Sequence, residues 1–441
     1  MEVAKGKLRP RYLAVRVLYR VIKDGAWAAP LLDALLQSHA FSLQERQKVT
    51  DLVYGALRAR EDLEKRLELF LKRGRLVDLE PWTRASLLVA AYELLFTQAK
   101  AWAVLDEIVE GVRYERGPGM AAFANAVLRR LAVEGLGTQA CPPVSLPNWL
   151  KERLCEDLGP DRAHAFIEER VLPPPTTIRA RVDRKLLAAR LQEACPEAQI
   201  HEGALSPWAL LMRRVGSPRN LPGYAAGDFC VMDEGSQFVA LGLGALSGER
   251  ILDACAGRGG KSLALLDMTQ GQVRLWACDA FPNKLDILVR EAKRLGHTSS
   301  ALTTLALDWR LGKGGIEDAF FDRILVDAPC TGVGTIHRKP ELTLRLTQSS
   351  IEGVIQLQSQ IVQRVWPLLR KGGMLLYAVC SPLRVEVFGA ISSLLQDGDA
   401  KVVDDPISGF APDPDGVLRI GPWNDPNRSC DTFQIIRIKR C

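Results

Sequence analysis

The sequence predicts three parts: an all-α helical bundle over residues 1–141, a small α/β connector over 142–230, and an α/β domain over 231–441 with a mostly parallel sheet. Three observations predict this. Apolar residues recur at helical spacing through the first third of the chain; prolines at 142, 143, 147 and 173–175 then interrupt that pattern; and from Phe229 onward short β-branched runs alternate with helical ones. Strands that alternate with helices pair in parallel, with helices covering both faces of the sheet.

In the first part, helical patterns cover 13–22, 44–60, 62–72, 81–97, 104–114 and 120–132, with no glycine-rich or catalytic signature among them. The connector opens with a helical run over 149–170, and after Pro173-Pro174-Pro175 an alternating stretch at 177–182 reads as a strand. Strands are expected in the last part at 250–256, 273–279, 301–308, 322–327, 374–380 and 433–439. Between them lie helices at 282–295, closed by Gly296, and at 351–370, closed by Gly372-Gly373.

Composition narrows the function classes. A hydrophobic share of 47% and a charged share of 25% suit a globular chain with real cores, and the formal charge of +6 permits a polyanionic partner without demanding one. Near the start Lys5, Lys7, Arg9, Arg11, Arg16, Arg20 and Lys23 face only Glu2 and Asp24. Such a stretch is either a phosphate-contacting surface or a solvated helix face. The ten cysteines include no Cys-x-x-Cys pair, which points to a reducing compartment, and the five histidines have no zinc-ligand spacing, so no metal is expected. No run approaches the ~20 apolar residues of a membrane span, and the expected location is cytoplasmic.

The last part is organised around Arg250 to Ser262, where an apolar strand runs into glycines at 257, 259 and 260 and then into a helix. A strand, a glycine turn and a helix N-terminus let a backbone approach a nucleotide-like ligand. The dinucleotide fingerprint fails, because Ser262 stands where its third glycine belongs. A phosphate loop fits Gly260-Lys261-Ser262 and could use Asp327 for a metal, but its opening glycine is Cys255. S-adenosyl-L-methionine fits best, since the next strand ends in Asp279, an acidic residue suited to ribose hydroxyls. In such sheets ligands bind beyond the carboxyl ends of the strands, so Asp279, Asp308, Asp327, Cys330 and Cys380 are expected on one rim. If the strands before Cys330 and Cys380 are neighbours, at ~4.8 Å spacing the two thiols reach a common substrate.

Several motifs add a family resemblance. Asp327-Ala-Pro-Cys330-Thr-Gly-Val-Gly-Thr, Arg338-Lys-Pro-Glu341, Leu357-Gln-Ser-Gln and Tyr377-Ala-Val-Cys380-Ser together resemble the RNA (cytosine-C5) methyltransferases, and within them the bacterial Sun or RsmB group that modifies small-subunit ribosomal RNA. That group carries a NusB-like helical domain ahead of a Rossmann-like methyltransferase domain, so the resemblance spans nearly the whole chain. It implies that Cys255, Ala256, Gly257, Arg258, Gly259, Gly260 and Lys261 line S-adenosyl-L-methionine, that Asp279 holds its ribose and Asp308 meets its adenine edge, and that Asp327 lies between cofactor and target base. It also implies that Cys380 attacks C6 of the cytosine while Cys330 assists release, and that the partner is ribosomal RNA. Two thiols suit this chemistry because cytosine C5 is a poor nucleophile until a thiolate adds at C6. Lys261 or a helix N-terminus could favour that thiolate, and Asp327 could hydrogen-bond the base. The sequence departs from the family at Gly257-Arg258, where Ala-Pro is usual, at Arg384-Val385-Glu386-Val387, which keeps one acid of Pro-Glu-Glu-Asn, and at Asp431-Thr432-Phe433 in place of Gly-Phe-Phe. Two other readings stay open: a non-catalytic RNA-binding assembly factor and a phosphate-loop NTPase.

Overall fold

The computed structural model describes residues 9–134, 146–169, 173–298, 300–396, 398–425 and 430–441. The chain divides into two compact units. One comprises 1–152, 170–173 and Ile336–Arg345; the other comprises 153–169, 174–335 and 346–441.

The first unit is helical: α1 (Pro10–Asp24), α2 (Ala28–Gln37), α3 (Leu43–Arg58), α4 (Arg60–Glu68), α5 (Pro81–Phe96) and α6 (Ala101–Glu134). Each start has a physical cause. Pro10 and Pro81 sit at the first helical position, where a missing N–H costs nothing, and Ser42 with Glu45 forms a capping box on α3. The two runs expected at 104–114 and 120–132 are the halves of α6, which breaks at Gly117 with φ +85°, just before Pro118. Helix α5 is buried nearly all round and forms the centre of the unit, with Leu87, Leu88 and Val89 fully buried. Helix α2 was not foreseen.

The basic start needs a correction. Arg11 is buried, not presented to a polyanion: its guanidinium grips Glu93 at 2.6 and 2.8 Å and Glu107 at 2.6 Å. Arg9, Arg16, Arg20 and Lys23 are exposed, though Arg20 pairs with Asp24 and Lys23 donates to the Tyr19 hydroxyl. Lys5 and Lys7, like the Cys141-Pro142-Pro143 break, lie outside the described residues.

After α7 (Asn148–Leu158), the second unit carries α8 (Pro160–Glu168), so the single helix expected over 149–170 is two, broken at Gly159 with φ +79°. Next come β1 (Thr176–Ala180), α9 (Arg184–Ala194), β2 (Gln199–Glu202), β3 (Ala209–Arg213) and β4 (Phe229–Val231). These strands form an antiparallel sheet in the order β2-β3-β1-β4.

The larger sheet follows α10 (Glu234–Gly242). Its strands and helices alternate as β5 (Arg250–Asp253), α11 (Gly260–Met268), β6 (Arg274–Asp279), α12 (Pro282–Arg294), β7 (Leu302–Ala306), β8 (Phe321–Asp327), α13 (Gln348–Val365), β9 (Leu369–Val379), α14 (Val385–Gln396), β10 (Ala400–Val403), β11 (Leu418–Ile420) and β12 (Phe433–Arg440). The order is β10-β12-β9-β8-β5-β6-β7, with β11 on β12; β7, β6, β5, β8 and β9 run parallel and β12 antiparallel. Alternate residues feed the two faces: Leu325, Leu376 and Ala378 pack on one, Ile324, Val326, Leu375 and Tyr377 on the other. The expected closure of α13 by Gly372-Gly373 does not occur. Pro367, in a short turn after Val365, ends that helix, and both glycines lie within β9. Strand order reverses at β5, with β6 on one side and β8 on the other, which opens a crevice at the carboxyl ends of these strands.

Candidate active site

The crevice is floored by the turn after β5. Ala256 N–H bonds to Cys278 O at 2.8 Å and Gly259 N–H to Ala256 O at 2.8 Å, which folds the loop over the sheet edge before α11 begins. Gly259 has φ +88°, and a Cβ there would lie 2.4 Å from the Leu288 side chain, so glycine is required both for the turn and for packing on α12. At Gly257 and Gly260 a Cβ would meet nothing within 4 Å, so the loop backbone faces open space, and the first N–H groups of α11 lack helical partners. Arg258 is exposed.

Asp279 ends β6 and supports this loop. One carboxylate oxygen accepts from Gly257 N–H at 3.0 Å, the other from Phe281 N–H at 2.9 Å, and Lys284 pairs with it at 3.4 Å. Oδ2, with Gly257 N–H as its one donor, keeps lone-pair capacity for a ribose hydroxyl. Asp308 lies past the end of β7 and is bound by Arg310 through its backbone N–H and guanidinium, which holds its carboxyl below the usual range. An adenine edge would compete with Arg310 for it. A glycine cradle with open space above it and an acidic residue at the next strand end fit a nucleoside-bearing methyl donor such as S-adenosyl-L-methionine.

Lys261, on the first turn of α11, donates to Asp327 Oδ2 at 2.6 Å and sits 5.1 Å from the Phe433 ring centroid. Burial works against its ammonium, but the charge and hydrogen bond of Asp327 prevail and raise its pKa. In the same layer, Asp253 accepts from the Ser262 hydroxyl at 2.6 Å, and burial pushes its carboxyl up to about 7.

The two rim cysteines converge. β8 and β9 are hydrogen-bonded neighbours, with Asp327 opposite Ala378. Cys330 and Cys380 therefore meet with their sulfurs 3.1 Å apart, both reduced. That separation is a hydrogen-bond contact, well beyond the ~2.05 Å of a disulfide. The Cys330 thiol is pushed up, first by its hydrogen bond with Cys380 and then by burial.

Sequence reasoning missed what holds these turns together. Gly334 N–H bonds to Cys380 O at 3.0 Å and Thr432 N–H to Gly334 O at 3.2 Å. A Cβ on Gly334 would lie 2.2 Å from Thr432 O and 2.9 Å from Cys380 O, which gives the second glycine of Cys-Thr-Gly-Val-Gly its reason. Arg338-Lys-Pro-Glu341, one of the motifs that carry the family resemblance, groups with the helical unit, where Glu341 accepts from Ala28 N–H at 3.0 Å and so caps α2.

Comparison with known proteins agrees with this architecture. A family model described as 16S rRNA methyltransferase RsmB/F matches residues 240–420, and one for the NusB family matches 8–133. Ribosomal RNA small subunit methyltransferase B of Xanthomonas campestris is 31% identical over 405 residues, covering 90% of this chain and 89% of that protein. Among solved structures, that of PH0851 superposes with a TM-score of 0.81 at 22% identity, covering 99% of this chain and all of that one (100%). NSun6 from Pyrococcus horikoshii with SFG gives a TM-score of 0.57 at 18% identity, covering 67% of this chain and 98% of that one.

Proposed function

Since this chain belongs to the RsmB/F family of 16S rRNA methyltransferases, we propose that it methylates C5 of a cytosine in small-subunit ribosomal RNA, using S-adenosyl-L-methionine. The observation that carries the cytosine-C5 reading is the pair of reduced thiols 3.1 Å apart beside the Lys261–Asp327 ion pair, at the sheet's switch point. A methyltransferase acting on a nucleophilic nitrogen or oxygen needs no such pair. The two-thiol reaction does.

In this reading the loop from Cys255 to Lys261 and Asp279 hold the cofactor, which supplies the methyl group. Asp327, paired with Lys261, accepts a hydrogen bond from the cytosine and orients its ring. Cys380 adds as thiolate to C6, which makes C5 nucleophilic. Cys330, whose thiol is pushed up first by its hydrogen bond with Cys380 and then by burial, then serves at the stage where the C5 proton leaves and the Cys380–C6 bond breaks. Recognition of RNA falls to the helical unit, whose residues 8–133 match the NusB family. The location that suits a ribosomal RNA substrate is the cytoplasm. A phosphate-loop NTPase is disfavoured by Lys261, whose ammonium is engaged by Asp327.

The test separates the cysteines. Incubated with ribosomal RNA and cofactor, Cys330→Ala accumulates an RNA-linked species stable to denaturing electrophoresis, and Cys380→Ala does not, because only the second lacks the attacking thiol. Bisulfite sequencing identifies the modified cytosine in the wild type. Trapping by Cys380→Ala alone exchanges the two roles, and full turnover by both variants without trapping removes the covalent mechanism.

A further inference from the structure

One buried carboxyl near the site has no part in the reaction described above. Glu386, at the start of α14, is fully buried at 0% exposure. Its oxygens accept from Thr331 N–H at 2.9 Å, the Thr331 hydroxyl at 2.5 Å, the Ser381 hydroxyl at 2.5 Å and the Gln358 amide at 3.1 Å. All four donors are neutral. Taking a carboxyl group out of water has a cost, which these four hydrogen bonds offset.

The partners reveal what that carboxylate does. Thr331 follows Cys330 and Ser381 follows Cys380, so each cysteine has its next residue bound to the same group. Gln358, from α13, donates its amide also to Pro329 O at 3.0 Å, which ties down the residue before Cys330. The Tyr377 hydroxyl, on β9 ahead of Cys380, donates to the backbone carbonyl of Glu386 at 2.8 Å. Two turns fifty residues apart in sequence are thus tied on both sides to one point.

We propose that Glu386 is a positioning residue that sets the distance between the Cys330 and Cys380 thiols, and with it the coupling of attack to release. The proposal rests on the two-thiol reading for its catalytic consequence but not for its geometric one. A carboxylate suits the task because it offers only acceptors to four converging donors; an amide in its place would turn an N–H₂ toward one of them. Sequence alone shows Glu386 only as the single acid left of a longer family motif.

Two measurements on the full-length protein test it. The first is the rate at which diamide closes a Cys330–Cys380 disulfide, two thiol hydrogens passing to the diamide nitrogens, read by peptide mass spectrometry without RNA. The second is kcat and KM for 5-methylcytosine formation in ribosomal RNA. In Glu386→Gln both the closure rate and kcat should fall about tenfold or more, while KM for S-adenosyl-L-methionine stays put, since no cofactor-loop contact is touched. Should that variant not fold, Thr331→Val and Ser381→Ala, each removing one hydroxyl donor, should show smaller losses of the same kind. Closure rate and kcat both within about twofold of wild type in the folded variants overturns the proposal. Slowed closure, with wild-type protein that forms no 5-methylcytosine, supports the positioning role and overturns the cytosine-C5 reading instead.

Discussion

Asp253 shows how a single carboxyl can record the character of the whole site. It ends β5 beneath the glycine loop, 1% exposed, with Oδ2 bound by Ser262. Burial first, and then the charge of Asp327, push its carboxyl up to about 7. A folded-state value above the unfolded one means that the folded protein holds the proton more tightly. This contribution to stability is therefore present at pH 4 and is lost as pH rises through 7, with a ceiling of roughly 4 kcal/mol. Asp253→Asn keeps an oxygen for Ser262 and carries no charge. Its melting temperature should gain on the wild type as pH rises from 5 to 8, measured by differential scanning calorimetry; a gap that stays constant over that range contradicts the assignment. Other residues differ in how legible they were. Lys261, Asp327, Cys330 and Cys380 stand at strand ends or on the loop, where topology alone brings them to one rim. Thr331, Ser381, Gln358 and Glu386 meet only through tertiary approach of separate turns, for which sequence carries no periodic signal.

At the scale of elements, the parallel strands were legible because buried strands read as apolar runs between turn residues. The structure shortens most of them: β7 stops at Ala306, leaving Asp308 in the following turn beside Arg310. Helix α2 escaped notice for a physical reason. It spans ten residues, its N-cap Trp27 offers no side-chain cap, and the group that satisfies Ala28 N–H is Glu341, far away in sequence. Loop elements make a sharper prediction. The turn carrying Cys330 is pressed so closely between Cys380 O and Thr432 O that Gly334→Ala must displace backbone, at a cost of about 1–3 kcal/mol for overpacking. That displacement moves Cys330 relative to Cys380 and leaves the loop at Gly257–Lys261 untouched. The variant should therefore bind S-adenosyl-L-methionine normally by calorimetry yet lose about tenfold or more in kcat, equal to ~1.4 kcal/mol of barrier. Normal kcat would mean the turn tolerates movement.

At the scale of the whole molecule, the division between units does not follow the chain. Ile336–Arg345 leaves the turn that carries Cys330, belongs to the helical unit, and returns before α13. Its attachments within that unit are specific. Glu341 caps α2, Leu344 packs on the helical core, and the Arg345 guanidinium donates to Gly25 O and Ala26 O while lying 3.9 Å from the Trp27 ring centroid. Stacking of this kind contributes about 0.5–1 kcal/mol, and the buried Glu341 cap adds a comparable amount. No local pattern announces such a segment, because its partners lie more than three hundred residues away. A fragment of residues 153–441 would keep the entire larger sheet but strip this segment of every one of those partners. Its Glu341 and Leu344 would be left facing water, and the segment should open locally without the sheet unfolding. Trypsin should then cut the fragment after Arg338 and Arg345 much faster than it cuts the full chain, with the fragment's far-UV circular dichroism and S-adenosyl-L-methionine affinity retained. Equal cleavage rates in fragment and full chain would show that the segment holds its conformation without the helices, and that its place in the helical unit is incidental.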